Sequence, residues 1–245
     1  MTYPDRRVLD LLSEGSIEPL GRIAWSSNAT YLVEVVSAEA DAEGNEVAVQ
    51  HAIYKPERGE RPLHDFAPGI YRHEVAAFEL ARSLGWDMVP ETVRVDGPMG
   101  PGSLQRFVEV DYEDHYFTMF DEGDEAVLAQ LRRICCFDLL ANNTDRKGGH
   151  CLLDGDRHVW AIDNALAFHA EFKLRTVIWD FAGERIDAPL LDDISCLLDM
   201  GLSSALDDLL DPFERDALLT RARAVLAKGV FPHDPTGRRY PWPLV

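Results

Sequence analysis

Two stretches of the sequence decide the fold: Asn143-Thr144-Asp145-Arg146-Lys147-Gly148-Gly149-His150 and Ala161-Ile162-Asp163-Asn164. The first is polar and carries two glycines, a composition that predicts a loop. Between the two, short apolar runs flank Asp154-Gly155-Asp156, which predicts a β-hairpin. A hairpin returns the chain towards its starting point, so the segments on either side of it lie together. We therefore expect Asp145 and Asp163 to open onto one site.

Two carboxylates placed in this way suit phosphoryl transfer. One carboxylate can orient the attacking hydroxyl, and the other can hold magnesium against the phosphates of a nucleotide. A structural interpretation stays open, in which Asp145 caps a turn and Asp163 ends a strand, because acidic residues are common in loops.

A lysine and a glutamate upstream fit the same chemistry. Lys55 follows the alternating run Val49-Gln50-His51-Ala52-Ile53-Tyr54, so it lies at the end of a strand, where its ammonium could contact the α- and β-phosphates. Glu74 falls early in the next predicted helix and could pair with Lys55 to hold it in place. The alternatives are a solvated lysine and a glutamate that interacts with the helix N-terminus.

A turn of small polar residues, Ser26-Ser27-Asn28-Ala29-Thr30, lies between the first two predicted strands. Such a turn can direct backbone N–H groups and hydroxyls at phosphate oxygens. It contains no glycine, although asparagine tolerates left-handed geometry better than most residues. An ordinary hairpin turn would have the same composition.

The hydrophobic pattern divides the chain into a β-rich half and a helical half. The first half has predicted strands over residues 16–25, 30–37, 47–55, 92–96 and 103–110, and predicted helices over residues 5–12 and 70–84. The second half has predicted helices over residues 124–140, 189–200 and 212–228. The pattern predicts an α+β fold of two lobes, an N-lobe over residues 1–110 and a helical C-lobe over residues 111–245. The order of the candidate residues matches the template of the kinases, without its glycine-rich loop.

Composition narrows the range of partners. Of 245 residues, 46% are hydrophobic, which is enough for a sizeable core. Acidic residues outnumber basic ones by 43 to 24, which argues against nucleic acid and against tight docking on anionic lipid. No apolar run approaches the ~20 residues needed to cross a membrane. No CxxC pair suggests a zinc site. The sequence therefore predicts a cytoplasmic protein with no transmembrane segment and no nucleic-acid partner.

Six segments together resemble the phosphoinositide 3-/4-kinase family, and within it most closely the type II phosphatidylinositol 4-kinases. The chain is similar to a short, actinobacterial, kinase-like branch of that family. The matching segments are Ser26 to Val33, Tyr54 to Pro56, Tyr71 to Ala77, Gly102 to Val108, Asn143 to His150 and Ala161 to Phe168.

The resemblance implies a two-lobed protein-kinase-like fold that binds ATP with Mg²⁺ or Mn²⁺. It implies that Lys55 contacts the phosphates, that Glu74 positions Lys55, and that Asp145 is the catalytic aspartate. It further implies that Asp163 is a metal ligand. The backbone around Phe107 and Val108 would hold adenine, and Ser26, Ser27 and Asn28 would cover the phosphates.

The chain departs from the family pattern in three places. His150 stands where the family has a metal-binding asparagine; a neutral imidazole can bind a metal, but magnesium prefers oxygen. The second metal site is therefore expected to be altered, to favour manganese, or to be lost. The phosphate turn has no glycine. After Asp163 the nearby cations are Lys173 and Arg175, where the lipid kinases have a basic stretch that receives the inositide headgroup.

These features predict a kinase that transfers the γ-phosphoryl of ATP to a hydroxyl on a protein, a small molecule or phosphatidylinositol. The acidic composition ranks a protein or soluble small molecule above the lipid. His150 and the glycine-free turn keep a nucleotide-binding pseudokinase, acting as an interaction module, as an alternative. Adenylyl transfer on the same fold is a further alternative.

Overall fold

The computed structural model describes residues 4–24, 26, 28–37 and 48–245. The first half of these residues forms an antiparallel sheet of five strands. Its strands lie in the order β1-β2-β3-β5-β4. They are β1 (Ser16–Arg22), β2 (Tyr31–Val36), β3 (Val49–Pro56), β4 (Thr92–Gly97) and β5 (Gly100–Arg106).

The alternation of side chains along each strand determines which face of the sheet each side chain lies on. Val33 and Val35 of β2 are fully buried, as are Ala52 and Tyr54 of β3, and they pack with Leu12 in one cluster. Because successive side chains of a strand point to opposite faces, Lys55 points away from this cluster. The sheet thus presents the lysine on its other face.

The helix α1 (Arg6–Glu14) supplies Leu12 and covers the buried face of the sheet. Asp5 caps its first turn, and Gly15 ends it by donating its N–H to the carbonyl of Leu11 at 2.8 Å. A Cβ on Gly15 would lie 2.6 Å from Cγ1 of Val35. Glycine is therefore required at position 15 because there is no room for a side chain. Backbone strain is not the reason, because any residue can adopt the extended conformation of Gly15.

The helix α2 (Tyr71–Ser83) follows a connection that includes a short 3-10 turn at Glu57–Gly59. The side chain of Glu60 accepts hydrogen bonds from the N–H groups of Gly69 and Tyr71, at 2.7 and 2.8 Å, and so fixes the start of the helix. Val75 and Phe78 of α2 belong to the large core of the helical half.

The helical half adds three short strands and five helices within the described residues. The sheet order is β6-β7-β8. The elements are β6 (Val110–His115), α3 (Tyr116–Glu122), α4 (Glu125–Ala141), β7 (Cys151–Asp154), β8 (Val159–Ala161), α5 (Ala188–Met200), α6 (Ser204–Leu209) and α7 (Pro212–Lys228). No helix in the described part of the chain is both long enough and apolar enough to cross a membrane.

The predicted α+β architecture is confirmed: an antiparallel sheet is followed by a mainly helical region. The strand predicted over residues 103–110 is wrong in its second half, because β5 ends at Arg106 and β6 begins at Val110 in the other sheet. The predicted strand ends at Trp25 and Val47 lie outside the described residues. The division of the chain at residue 110 stays a prediction.

Gly15→Ala should lower the free energy of unfolding by about 1–3 kcal/mol, because the new methyl group overpacks against Val35. Chemical denaturation measures the change. Gly21→Ala is the matched control, since a Cβ there would meet no atom within 4 Å. Equal stability of the two variants would contradict the packing described for α1.

Candidate active site

Lys55 lies between two carboxylates that come from distant parts of the chain. Its ammonium donates to Oε1 of Glu74 on α2 and, at 2.6 Å, to Oδ1 of Asp163 after β8. Lys55 and Asp163 are 108 positions apart in the sequence. Glu74 is 1% exposed, whereas the Asp163 side chain is 47% exposed. The structure therefore brings three predicted site residues together and leaves Asp163 accessible.

The charges of this group stabilise one another. Burial opposes the charge of Lys55, but Asp163 and Glu74 outweigh it and raise the pKa of Lys55. Burial would raise the pKa of Asp163, yet the ammonium of Lys55 lowers it well below its usual range. Asp163 is therefore a carboxylate at neutral pH, which is the form that binds a divalent cation.

The backbone around Asp163 is held in an unusual conformation. Asp163 has a φ of 56°, a left-handed value that aspartate adopts more readily than most residues. The N–H of Asn164 donates to Oε2 of Glu74 at 2.9 Å. Glu74 thus holds the lysine with one oxygen and the chain beside Asp163 with the other.

The segment 142–150, here called the catalytic loop, is organised by the fully buried Arg146. Its guanidinium contacts both carboxylate oxygens of Asp138 on α4. It also donates to the carbonyl of Ile162 at 2.8 Å and to Oδ1 of Asn164 at 2.6 Å. Burial raises the pKa of Asp138, and Arg146 opposes that shift. Arg146 therefore ties the catalytic loop to the segment that carries Asp163.

Asp145 lies in the catalytic loop with its side chain 27% exposed. Nζ of Lys147 is 3.2 Å from Oδ2 of Asp145, and the Asp145 N–H donates to Oδ1 of Asn143 at 2.9 Å. Burial raises the pKa of Asp145 even though Lys147 opposes the shift. Lys147 was not among the predicted site residues, and its only signal in the sequence is a positive charge two positions after Asp145.

His150 faces Asp163 from the end of the catalytic loop, with Nε2 3.4 Å from Oδ2. Burial lowers the pKa of His150 to about 4, so the ring is neutral at neutral pH. Its Nδ1 is buried and has no hydrogen-bond partner among the described residues. A neutral imidazole beside a carboxylate is a donor pair that fits a metal ion.

The metal-binding capacity of the site is limited without a nucleotide. Within the described ranges, no cluster of three or more His, Cys, Asp or Glu side chains is arranged to hold a metal. A magnesium ion in a nucleotide site usually takes one or two protein carboxylates and completes its shell with phosphates and water. Asp163 and His150 fit a metal held in that way.

The predicted phosphate turn is tied to the connection before α2. Oγ of Ser26 is 2.8 Å from Oγ1 of Thr30, and Oδ1 of Asn28 accepts the N–H of Arg61 at 3.0 Å. Ser27 lies outside the described residues. These contacts position the turn, and the phosphate-binding role of Ser26, Ser27 and Asn28 stays a prediction.

The predicted adenine segment joins the two sheets. Phe107 and Val108 lie between β5 and β6, and the Phe107 N–H donates to the carbonyl of His51 at 2.9 Å. This N–H is therefore engaged within the protein, so contacts to adenine would fall to the Phe107 carbonyl and to Val108. Their role in holding adenine stays a prediction.

The two cations after Asp163 differ in their surroundings. Nζ of Lys173 is 3.2 Å from Asp65, 3.6 Å from Glu171 and 3.1 Å from Nε2 of His169. Arg175 is exposed, and its backbone pairs with the catalytic loop. The charge of Lys173 is therefore balanced by carboxylates of the chain itself.

Arg146→Met should destabilise the fold by about 3–5 kcal/mol, because it leaves the buried carboxylate of Asp138 unpaired. Arg157→Met is the control, since Arg157 forms exposed ion pairs worth about 0–1 kcal/mol. Denaturant unfolding of both variants measures the difference. Similar losses in the two variants would show that Arg146 does not organise the loop.

The comparisons with solved structures show a protein-kinase-like fold. Hydra Fam20 with sugar superposes with a TM-score of 0.57 and 16% identity, covering 90% of this chain and 87% of that chain. The Helicobacter pylori proinflammatory kinase CtkA superposes with a TM-score of 0.50 and 12% identity, covering 90% of this chain and 94% of that chain. No family model matches the sequence.

One curated relative resembles the chain along nearly its whole length. Protein Rv2133c of Mycobacterium tuberculosis (strain ATCC 25618 / H37Rv) is 37% identical over 268 aligned residues. The alignment covers 95% of this chain and 94% of the relative. The chain therefore belongs to the family of the Mycobacterium tuberculosis protein Rv2133c.

Proposed function

We propose that the chain is an ATP-dependent kinase that transfers the γ-phosphoryl group to a hydroxyl of its acceptor. The observation that carries this proposal is the placement of Lys55 between Glu74 and Asp163. A kinase needs a lysine held by a glutamate beside the nucleotide phosphates and a carboxylate for the metal. The Helicobacter pylori kinase CtkA, which has a similar fold, adds support for this use of the fold.

Each residue of the group receives a role from its contacts. Lys55 contacts the α- and β-phosphates, and Glu74 keeps its ammonium in place. Asp163 would hold a metal ion, which would neutralise the charge on the phosphates. When the nucleotide enters, Lys55 exchanges part of its contact with Asp163 for phosphate oxygens.

Asp145 and Lys147 act on the acceptor side. Asp145 accepts a hydrogen bond from the attacking hydroxyl, and its raised pKa favours uptake of the proton as the new bond forms. Lys147, whose Nζ lies 3.2 Å from Asp145, supplies positive charge near the phosphoryl group during its transfer. Phe107 and Val108 hold adenine, and Ser26, Ser27 and Asn28 cover the phosphates.

The acceptor is a protein or a soluble small molecule rather than phosphatidylinositol. The carboxylates of Asp65 and Glu171 balance Lys173, which weakens any attraction for an inositide headgroup at that position. The formal net charge of −19 opposes docking on an anionic membrane surface. The phosphoinositide 3-/4-kinase type rests on the sequence resemblance alone, and phosphorylation of phosphatidylinositol in vesicles would overturn this ranking.

Two alternatives differ from this proposal. His150, which replaces the asparagine expected at the second metal position, and the glycine-free turn favour a chain that binds nucleotide without transferring a group. The other alternative is transfer of the adenylyl group on the same fold. ATP labelled separately at the α- and γ-phosphates distinguishes all three cases, because label reaches the acceptor from the γ-position in a kinase and from the α-position in adenylyl transfer.

Asp163→Asn and Asp145→Asn should each reduce ADP release from ATP by roughly a hundredfold or more, since one removes metal binding and the other the base. Coupled ADP detection measures the rate. Asp208→Asn, at an exposed position of α6, should match the wild type. Equal ADP release from all four proteins would rule out the proposal.

The nitrogen ligand of His150 should make Mn²⁺ at least as effective as Mg²⁺, because imidazole binds the more polarisable transition ions better. His150→Asn restores an oxygen donor and should raise the ratio of the Mg²⁺-supported rate to the Mn²⁺-supported rate. Titration of each metal at saturating ATP measures that ratio. An unchanged ratio would place His150 outside the metal site.

A further inference from the structure

His73 is the neighbour of Glu74 on α2, and it is 7% exposed. Its Nδ1 lies 3.1 Å from the carbonyl oxygen of Ala165, two residues after Asp163. Its Nε2 lies 3.0 Å from Oε1 of Glu214, in the first turn of α7. One side chain thus joins α2 to two separate segments of the helical half.

Both partners of the ring are hydrogen-bond acceptors. The carbonyl of Ala165 needs a hydrogen on Nδ1, and the close approach of Glu214 needs a hydrogen between its carboxylate and Nε2. Glu214 is itself fixed, because its other oxygen accepts the N–H of Asp211 at 2.9 Å in the capping box of α7. The contact therefore ends at the capped terminus of α7.

Two aromatic rings hold the imidazole in position. Phe66 meets it edge-on with centroids 6.0 Å apart, and Phe168 lies at 5.8 Å. Phe66 also packs against His169 at 5.2 Å. The ring is thus confined by packing as well as by its two polar contacts.

The position of His73 next to Glu74 gives the contact a consequence for the active site. Consecutive side chains on a helix point about 100° apart. Glu74 reaches Lys55 on the sheet, while His73 reaches α7. A shift of α2 that broke the contacts of His73 would also move Glu74, which holds both Lys55 and the N–H of Asn164.

We propose that His73 and Glu214 form a clasp that positions Glu74, and through it Lys55, for phosphoryl transfer. This inference rests on the proposed kinase function. His73 is a positioning residue, because it touches neither Lys55 nor Asp163 in the contacts of the described residues. The clasp positions α2 through the contacts of His73 with α7 and with the segment after Asp163.

The test uses a double-mutant cycle. His73→Phe keeps the aromatic packing and removes both donors, and Glu214→Gln removes the negative charge. Each should lower the kcat for ADP release at least about tenfold, since small displacements of catalytic groups cost large factors in rate. The double variant should be no slower than the slower single variant, because both changes remove the same interaction.

A partly exposed ion pair next to Glu214 provides the matched control. Arg215 on α7 lies 3.2 Å from Asp207 on α6. Arg215→Met, Asp207→Asn and their double variant should keep the wild-type kcat. Hydrogen exchange of the α2 amides adds a readout that needs no turnover, and it should accelerate in His73→Phe but not in Arg215→Met.

The outcomes separate the inference from the function on which it rests. A wild type that releases no ADP defeats the kinase proposal, and the exchange of α2 then still decides the clasp. Unchanged exchange in His73→Phe overturns the clasp. Faster exchange with unchanged kcat, or losses that add in the double variant, overturns the positioning role.

Discussion

The ion pair between Lys55 and Asp163 is the interaction on which the rest of the structure depends. The nearly fully buried carboxylate of Glu74 would be costly without the ammonium of Lys55, and the half-exposed Asp163 contacts the same cation from the segment after β8. The sheet, α2 and the segment after β8 must therefore meet at one place. Removing Lys55 would leave both carboxylates without their cation, so Lys55 holds the three segments together.

A second buried cation, Arg146, extends this constraint into the helical half. It joins Asp138 on α4 to the carbonyl of Ile162 and to Asn164, on either side of Asp163. Asn164 also donates its backbone N–H to Glu74. Lys55 and Arg146 thus both bind the short segment 162–164. Asp145 and Lys147 flank Arg146 in the catalytic loop, so the same anchor that fixes Asp163 also fixes the side chains assigned to the acceptor.

Local pattern predicted most of the strands and the long helices, because alternation and helical periodicity are properties of neighbouring residues. It missed β6, a polar segment with little periodic signal, and also α3 and α6, which at seven and six residues are too short for a helical period to recur. The meeting of Lys55, Glu74 and Asp163 was predictable from their order and from the family resemblance. The burial of Arg146 and the contact of His73 with Glu214 were not predictable from the sequence. A charged residue in a loop or on a helix is expected to be exposed to solvent until its tertiary partners are known.

Nucleotide binding should change the partner of Lys55 from the carboxylate of Asp163 to phosphate oxygens. A crystal structure with a non-hydrolysable ATP analogue and Mn²⁺ tests this most directly. The expected result is a triphosphate within hydrogen-bond distance of Nζ of Lys55, a metal ion bound to Asp163, and the γ-phosphate facing Asp145. A nucleotide bound elsewhere on the chain, with the contact between Lys55 and Asp163 unchanged, would contradict the role of Lys55 as the phosphate-binding lysine.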